Sequence, residues 1–489
     1  MAQQHFDRLS AIDASFLHQE GANSHMHVGA ITIFEGPPPP FEQFLDSIRA
    51  RLHLVPRYRQ KLTFPRFETG RPLWVDDPCF NLEYHVRQTA LPRPGAESQL
   101  MTLGARIFSQ QLDRSKPLWE LWMIEGVEPA AAGGAHRFAL ISKNHHALVD
   151  GVSGIDLATV LFDVTPVPPE LPHPDKAWKA EPVPGAAEVI ASGALSAVRT
   201  GIGGMTRLLG MVTKPAAVLG EVREAAEGVG EILWAGMNPA PETPLNVPIG
   251  PHRRFVGVRS ELRDFKLVKD TFGGTVNDVL LTVVSGSLRE FLRSRGLRTE
   301  GLELRALVPV SIRAEHEHGR LGNRIAAMRG PLPVYVADPV ARLRAVRTAM
   351  DGLKESKMAV GAEVLASVQN FAPPTVLAQA SRVNFSTRLF NLIVTNVPGP
   401  QFPLYTRGRE MQDVFPVAFL PEEHALAIAI MSYNGRVNFG LLGDYDALGD
   451  LQTIADGIEQ ELATLVALAK KRGWTRSGPA TETRPLTKA

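Results

Sequence analysis

The chain has little of what marks a secreted, nucleic-acid-binding or membrane-spanning protein. Its 489 residues include a single cysteine, Cys79, so no disulfide can form within the chain and a reducing compartment is expected. Lysine and arginine number 52 against 51 acidic residues, and no basic run stands out, so nucleic acid is not an expected partner. No apolar run reaches the length of about 18 residues that predicts a membrane span, and no secretory signal is recognised. These absences predict a cytoplasmic protein, either free or peripheral at a membrane.

The densest group of reactive side chains lies in one short stretch, Lys143-Asn144-His145-His146-Ala-Leu-Val-Asp150-Gly151. The apolar residues before it predict a buried strand, and the apolar spacing after it, from 152 to 162, predicts a helix. Sites are often built at such strand ends, because the sheet fixes the backbone while the loop leaves side chains free. A histidine in this position has a pKa suited to a general base.

A structural interpretation of the same stretch remains open. Asp150-Gly151 before a helix is also a common turn and N-cap, and Gly151 allows a sharp turn. Hydrogen bonds alone can satisfy His145 and His146. Composition and spacing therefore leave both a catalytic and a structural role.

Several catalytic motifs are missing. The chain contains no Gly-x-Ser-x-Gly nucleophile elbow, no P-loop, no Gly-x-Gly-x-x-Gly opening a helix after a strand and no His-Glu-x-x-His. With no obvious covalent nucleophile, His146 would act on a hydroxyl, amine or thiol of a bound substrate. This favours group transfer within a ternary complex.

Two other groups have more than one interpretation. His25 and His27 would share a face of a strand predicted from His25 to Phe34, a geometry that suits a metal, but no further ligand set accompanies them, which favours ordinary packing. Trp119 and Trp122, on a strand near residues 116–124, can either pack in a core or line an apolar pocket. Asn277 and Asp278, at the start of a predicted helix, can cap it or offer amide donors to an anion.

Length and composition indicate two domains. Residues 1–163 are expected to form the first domain, 164–243 a proline-rich linker and apolar helical crossover, 244–472 the second domain, and 473–489 a disordered tail. The apolar face of residues 185–237 fits either packing within the protein or contact with a lipid surface. The polar loop Glu315-His316-Glu317-His318 has metal binding as a remote alternative.

His145-His146-Ala-Leu-Val-Asp150-Gly151 matches the His-His-x-x-x-Asp-Gly signature of the coenzyme A-dependent acyltransferase superfamily. Within it, the chain resembles the bacterial wax ester synthase/diacylglycerol acyltransferase family from residue 5 to about residue 470. The additional matching segments are Leu9-Ser-Ala-Ile-Asp13, Met26-His-Val-Gly29, Pro117-Leu118-Trp119, Thr275-Val-Asn277-Asp278-Val, Pro309-Val-Ser-Ile-Arg313, Asn396-Val-Pro-Gly-Pro400 and Ser432-Tyr433-Asn-Gly435.

This resemblance implies an α/β fold of two chloramphenicol acetyltransferase-like domains, with mostly antiparallel or mixed sheets flanked by helices and a tunnel between the domains. It implies that His146 takes the proton of an acceptor hydroxyl that attacks a long-chain acyl-CoA thioester, giving triacylglycerol, wax esters or both. His145 would support the site and Asp150 would orient the loop that includes Gly151. Asn277 and Asp278 would lie near the site, and we hypothesise that Asn277 donates to the oxyanion. The implied substrate-pocket residues are Pro117, Leu118, Trp119, Ser311, Arg313 and Asn396.

The resemblance implies neither a metal nor a bound cofactor, since acyl-CoA is a substrate. It implies an apolar acceptor alcohol and peripheral contact with a membrane or lipid droplet. Rival hypotheses are a condensation-type enzyme that forms amides from carrier-protein thioesters, a non-catalytic lipid-droplet protein that uses residues 185–237, and a metal-dependent hydrolase.

Overall fold

A computed structural model describes most of the chain, in residues 7–64, 71–130, 133–149, 161–167, 178–185, 239–311, 325–355, 386–387 and 389–476. Several features singled out in the sequence lie outside these residues: the helix expected from 152, nearly all of the apolar segment 185–237, the polar loop at 315–318 and the C-terminal tail from 477.

The N-terminal half alternates strands and short helices. Its elements are β1 (Asp7–Arg8), α1 (Ala11–Gln19), β2 (His27–Phe34), α2 (Phe41–Arg51), 3₁₀ turns at Leu52–Leu54 and Pro56–Arg59, β3 (Gln60–Thr63), β4 (Leu73–Asp76), α3 (Leu82–His85), β5 (Val86–Ala90), α4 (Glu97–Phe108), β6 (Trp119–Val127), β7 (Arg137–His145) and α5 (His146–Val149).

The C-terminal half has longer helices. Its elements are β8 (Arg253–Glu261), α6 (Leu262–Phe272), α7 (Val276–Ser294), β9 (Leu304–Ser311), β10 (Ile325–Leu332), α8 (Pro339–Glu355), β11 (Leu392–Pro398), β12 (Tyr405–Thr406), β13 (Arg409–Val417), β14 (Leu426–Tyr433), β15 (Arg436–Asp444) and α9 (Leu451–Arg476). Within the residues described, no helix is both long enough and apolar enough to cross a bilayer.

Two six-stranded sheets form the framework, with a small third sheet beside the first. The first has the order β12-β13-β2-β7-β6-β5, the second has the order β10-β9-β11-β14-β15-β8, and the small sheet has the order β1-β4-β3. Most neighbours are antiparallel, while β5–β6, β9–β11 and β11–β14 are parallel. The expected α/β fold with mixed sheets and flanking helices is confirmed.

The first sheet includes strands from the far end of the chain. β13 pairs antiparallel with β2, with Val417 opposite Gly29 and Phe415 opposite Ile31. A division of the chain near residue 243 therefore separates β13 from the sheet to which it is hydrogen bonded. The two halves are interleaved by this strand.

The second sheet turns one face to its own helices and the other to the first sheet. Val437, Phe439 and Leu441 pack in a core with α7 and α9. On the opposite face of β15, the position of Gly440 leaves no room for a side chain, since a Cβ there would lie 1.8 Å from the Pro416 carbonyl oxygen of β13. Glycine at this position lets the two sheets approach closely.

Most strands and helices lie within a few residues of their predicted positions. The strand predicted from His25 to Phe34 is β2, and the helix predicted from Phe41 to Leu54 is α2 followed by a 3₁₀ turn. The hairpin predicted at Asn434-Gly435 is present, with positive φ angles of 43° and 81° that suit a tight two-residue turn.

Candidate active site

The central histidine pair lies where β7 ends and α5 begins, as the sequence predicts. His145 is almost fully buried, and its backbone N–H donates to the Leu118 carbonyl oxygen at 3.0 Å. Its ring Nδ1 accepts the backbone N–H of Ala147 at 3.0 Å. Because Nδ1 accepts, the proton of the neutral ring is on Nε2. The imidazole of His145 thus holds the turn into α5.

Glu20, which follows the last residue of α1, faces that nitrogen. His145 Nε2 lies 3.3 Å from Glu20 Oε1, and the same oxygen accepts the backbone N–H of Met26 at 3.0 Å. The other carboxylate oxygen accepts Nε–H of Arg114 at 2.9 Å and the side-chain amide of Gln111 at 3.2 Å. The carboxylate is buried, so each of these contacts is formed in a weakly screened environment.

Glu20 remains ionised in this position. Burial alone would raise the pKa of the carboxyl, but the contact with His145 and the charge of Arg114 hold that pKa far below its ordinary value. An ionised Glu20 can therefore orient both His145 and the backbone at Met26.

His146 is the half-buried member of the pair. Its backbone N–H donates to the Met26 carbonyl oxygen at 2.8 Å, so the residue that Glu20 anchors also anchors His146. The imidazole stacks on Phe16 with ring centroids 4.0 Å apart and planes inclined by 30°. Phe419, which follows β13, meets the imidazole edge to face at 5.6 Å and 90°.

Lys143, two residues before His145 on β7, is a buried lysine with a structural role. Its ammonium group donates to the carbonyl oxygens of Ile107 and Gln110, at 3.0 and 2.6 Å, and thereby binds the C-terminal end of α4. Burial lowers the pKa of Lys143 to about 8. This lysine ties β7 to α4 beneath the histidine pair.

His25 and His27 lie close together, with ring centroids 5.3 Å apart. His27 Nε2 accepts the backbone N–H of Leu112 at 3.4 Å, and its burial lowers its pKa well below the ordinary value. In the described part of the chain, no group of three or more His, Cys, Asp or Glu side chains is arranged to hold a metal ion. The contacts of His27 are those of a packed core histidine.

Pro117-Leu118-Trp119 supports the histidine strand from the neighbouring β6. Leu118 supplies the carbonyl oxygen that binds His145, and Trp119 lies opposite Asn144 in the ladder. The Trp119 ring stacks on His85 at 4.7 Å, and its indole N–H donates to the Tyr58 carbonyl oxygen at 2.8 Å. These contacts, together with 2% exposure, describe core packing. A pocket-wall role for Trp119 stays a prediction.

Asn277 and Asp278 lie in the first turn of α7, which packs on the second sheet. Asp278 completes a capping box, in which its carboxylate accepts the Thr275 backbone N–H at 2.7 Å and Thr275 Oγ1 accepts the Asp278 backbone N–H at 3.2 Å. Asn277 Oδ1 accepts the side-chain amide of Asn396 at 3.4 Å. The structure thus joins two predicted site residues, Asn277 and Asn396, and gives Asp278 a capping role.

The remaining predicted site residues are only partly described. Asp150, Gly151 and Arg313 lie outside the described residues. Ser311 ends β9, where its backbone pairs with Ile325, and its side chain is not described. Their roles stay predictions.

Glu20, Phe16 and Phe419 are contacts of the histidine pair that the sequence predictions missed. For Glu20 and Phe16 the signal was their spacing, because residues four apart lie on one face of a helix, and both side chains contact the histidines from α1 and its end. Many helices carry an acidic and an aromatic residue four positions apart, so this spacing identifies a site only when the fold shows what the two side chains contact.

Comparison with known proteins identifies the family of the chain. Residues 9–280 match the model of the wax ester synthase/diacylglycerol acyltransferase catalytic domain, and residues 321–466 match that of the C-terminal domain of the same family. A Mycobacterium tuberculosis protein named as a diacylglycerol O-acyltransferase is 34% identical over 474 residues, covering 96% of this chain and 98% of that protein.

Solved structures give the same result. A wax ester synthase/diacylglycerol acyltransferase from Marinobacter aquaeolei VT8 superposes with a TM-score of 0.66 and 28% identity, covering 95% of this chain and 100% of that one. The starter condensation domain of rhizomide synthetase has a TM-score of 0.57 at 12% identity, covering 95% of each chain, which shows a shared fold. The chain therefore belongs to the wax ester synthase/diacylglycerol acyltransferase family and is an acyltransferase.

Proposed function

We propose that the protein transfers a long-chain acyl group from acyl-CoA to the hydroxyl of an apolar acceptor, either diacylglycerol or a fatty alcohol. The observation that carries this proposal is the difference between the two histidines. Both ring nitrogens of His145 face protein groups, Ala147 N–H and Glu20, whereas His146 is half-buried at the strand end. His146 is accordingly the imidazole proposed to meet the substrate.

In the proposed reaction, His146 takes the proton of the acceptor hydroxyl as its oxygen attacks the thioester carbonyl. The tetrahedral intermediate collapses, the carbon–sulfur bond breaks, and the imidazolium returns the proton to the CoA thiolate. An ester and free CoA result, so the reaction needs no bound cofactor. General base catalysis of this kind typically contributes a factor of about 10² to 10⁴ in rate.

Asn277 is the proposed donor to the oxyanion of that intermediate. The residue is half-buried, and its contact with Asn396 is made through Oδ1, so that contact does not use its N–H groups. A donor of this kind stabilises charge that develops only in the transition state.

Acceptors of this class dissolve in membranes and lipid droplets, so the proposal includes peripheral contact with such a surface from the cytoplasm. Flotation of the full chain with vesicles of phosphatidylcholine and diacylglycerol tests this contact. A protein that stays at the bottom of the gradient at low and high salt would contradict it.

The proposed activity is tested by incubating the full chain with one labelled long-chain acyl-CoA and a panel of acceptors. The panel contains diacylglycerol, a fatty alcohol, a fatty amine and an amino-acid thioester, and products are separated by class. Labelled triacylglycerol or wax ester is the expected product. Amide as the main product, or no transfer to any alcohol, would contradict the proposal.

A further inference from the structure

The His146 imidazole is enclosed by two phenylalanine rings from distant parts of the chain. Phe16, on α1, stacks on one face at 4.0 Å, and Phe419, after β13, meets the ring at 5.6 Å in a perpendicular arrangement. The two phenylalanines also touch each other edge to face, with centroids 6.0 Å apart. Both are buried, at 9% and 7% exposure. We call Phe16 and Phe419 the ring clamp.

The ring clamp restricts rotation of the His146 ring about χ2, which the backbone contacts of this residue do not fix. The turn from β7 into α5 fixes the Cα of His146, and the hydrogen bond to Met26 fixes its peptide. The χ2 torsion of a histidine is intrinsically broad, so these two backbone restraints do not fix the plane of the ring. Offset stacking and edge contacts prefer particular ring planes and are worth about 0.5 to 1.5 kcal/mol per pair. Two such contacts restrict the imidazole to one ring plane.

We infer that Phe16 and Phe419 are positioning residues that hold the His146 imidazole in the orientation needed to take the acceptor proton. This inference rests on the proposed role of His146 as the general base. The clamp acts through His146 and touches no bond that forms or breaks. Misalignment of a reacting group by about 1 Å can cost a factor of about 10² in rate, so a modest restraint has a large kinetic effect.

The ring clamp also brings the two halves of the chain together at the His146 ring. Phe16 belongs to the first helix, while Phe419 is held by β13, the C-terminal strand that is hydrogen bonded to β2. The orientation of His146 therefore depends on correct pairing of β13 with the first sheet. An ordinary core aromatic pair would have no such effect on the catalytic rate.

The test measures kcat, KM for acyl-CoA and melting temperature for Phe16→Leu, Phe419→Leu and the ring-retaining variants Phe16→Tyr and Phe419→Tyr. The leucine variants are expected to lower kcat by about tenfold or more with KM within about twofold of the parent. A tyrosine variant is expected to recover most of the lost kcat, because it keeps the ring.

A matched control is Phe34→Leu, which breaks a buried ring pair elsewhere in the same sheet, Phe34 on Phe138 at 5.1 Å. It should lower the melting temperature and leave kcat close to that of the parent. The inference is overturned if the leucine variants keep parental kcat while folded, or if their loss of kcat equals that of Phe34→Leu. If Phe16→Leu does not fold, Phe419→Leu decides between these outcomes.

A His146→Ala variant measured alongside separates the two hypotheses. If this variant is inactive while both leucine variants turn over normally, the clamp is wrong and the general base stands. If His146→Ala remains active, the proposed role of His146 as the general base is wrong.

Discussion

At the scale of single residues, Glu20 supports both histidine positions of the proposed site. Its carboxylate binds the Met26 backbone that holds His146 and faces the imidazole of His145. Arg114, which is partly exposed, supplies the compensating charge. Both contacts are made by Oε1, which leaves Oε2 to accept from Arg114.

We predict that Glu20→Gln lowers kcat by about tenfold or more, because the amide replaces one acceptor oxygen with a donor and removes the charge that pairs with Arg114. KM for acyl-CoA should change little. Steady-state kinetics on folded protein checks this. Glu35→Gln, an exposed carboxylate at the end of β2, serves as the control and should be neutral. A Glu20→Gln enzyme with parental kcat would show that the carboxylate is dispensable.

Sequence reasoning identified the histidine pair and its place at a strand end, because that information is local. It missed Glu20 and Phe16, since their importance comes from a contact across the fold with residues about 125 positions later, and neither residue type is unusual at the end of a helix. His25 and His27 illustrate the opposite case, in which a suggestive local pattern is satisfied by packing.

At the scale of elements, the start of α7 contains a helix cap next to a residue of the proposed site. Thr275 and Asp278 form the capping box, while Asn277 between them contacts Asn396. The structure assigns the predicted cap to Thr275 and Asp278, and the oxyanion-donor role of Asn277 stays a prediction.

We predict that Thr275→Ala lowers the free energy of unfolding by about 1 kcal/mol through loss of the cap. Asn277→Ala should leave stability unchanged and lower kcat by about a hundredfold, corresponding to about 3 kcal/mol of transition-state stabilisation. Urea unfolding and steady-state kinetics separate the two effects. Thr271→Ala, late in α6, is the stability control, with a change within about 0.5 kcal/mol. Full activity in Asn277→Ala would remove this residue from the oxyanion site.

The strands themselves were predictable because apolar runs and turn residues are local signals, as at Asn434-Gly435. The pairing of β13 with β2 was not, because hydrogen bonding between strands almost 400 residues apart leaves no periodic trace in either one. Expected domain boundaries drawn from a proline-rich break therefore could not place β13 in the first sheet.

At the scale of the whole molecule, a cluster of ion pairs joins the second sheet to α4 and to β13 of the first sheet. Arg259, on β8, binds Glu97 of α4 at 2.7 Å and Asp413 of β13 at 3.0 Å. Burial alone would lower the pKa of Arg259, but these two carboxylates raise it. The guanidinium also lies 4.7 Å from the centre of the Phe415 ring.

We predict that Arg259→Met destabilises the protein by about 1 to 2 kcal/mol, a value reduced by solvent screening because the side chain is about one-third exposed. Stability falls because the variant removes the Arg259 guanidinium from the buried Asp413 carboxylate, where the two sheets meet. Urea unfolding at low and high salt measures it. Arg293→Met, whose pairing with Glu290 is exposed, is the control and should change stability by no more than about 0.5 kcal/mol. Equal effects of the two variants would show that Arg259 contributes no more than a surface ion pair.

The central claim is that His146 is the general base of direct acyl transfer. The most direct measurement is transfer of labelled palmitoyl-CoA to diacylglycerol by folded His146→Ala, with His136→Ala, an exposed histidine, as the control. The account predicts that His146→Ala loses a factor of about 10² or more in kcat while His136→Ala matches the parent. Near-parental transfer by a folded His146→Ala enzyme would contradict it.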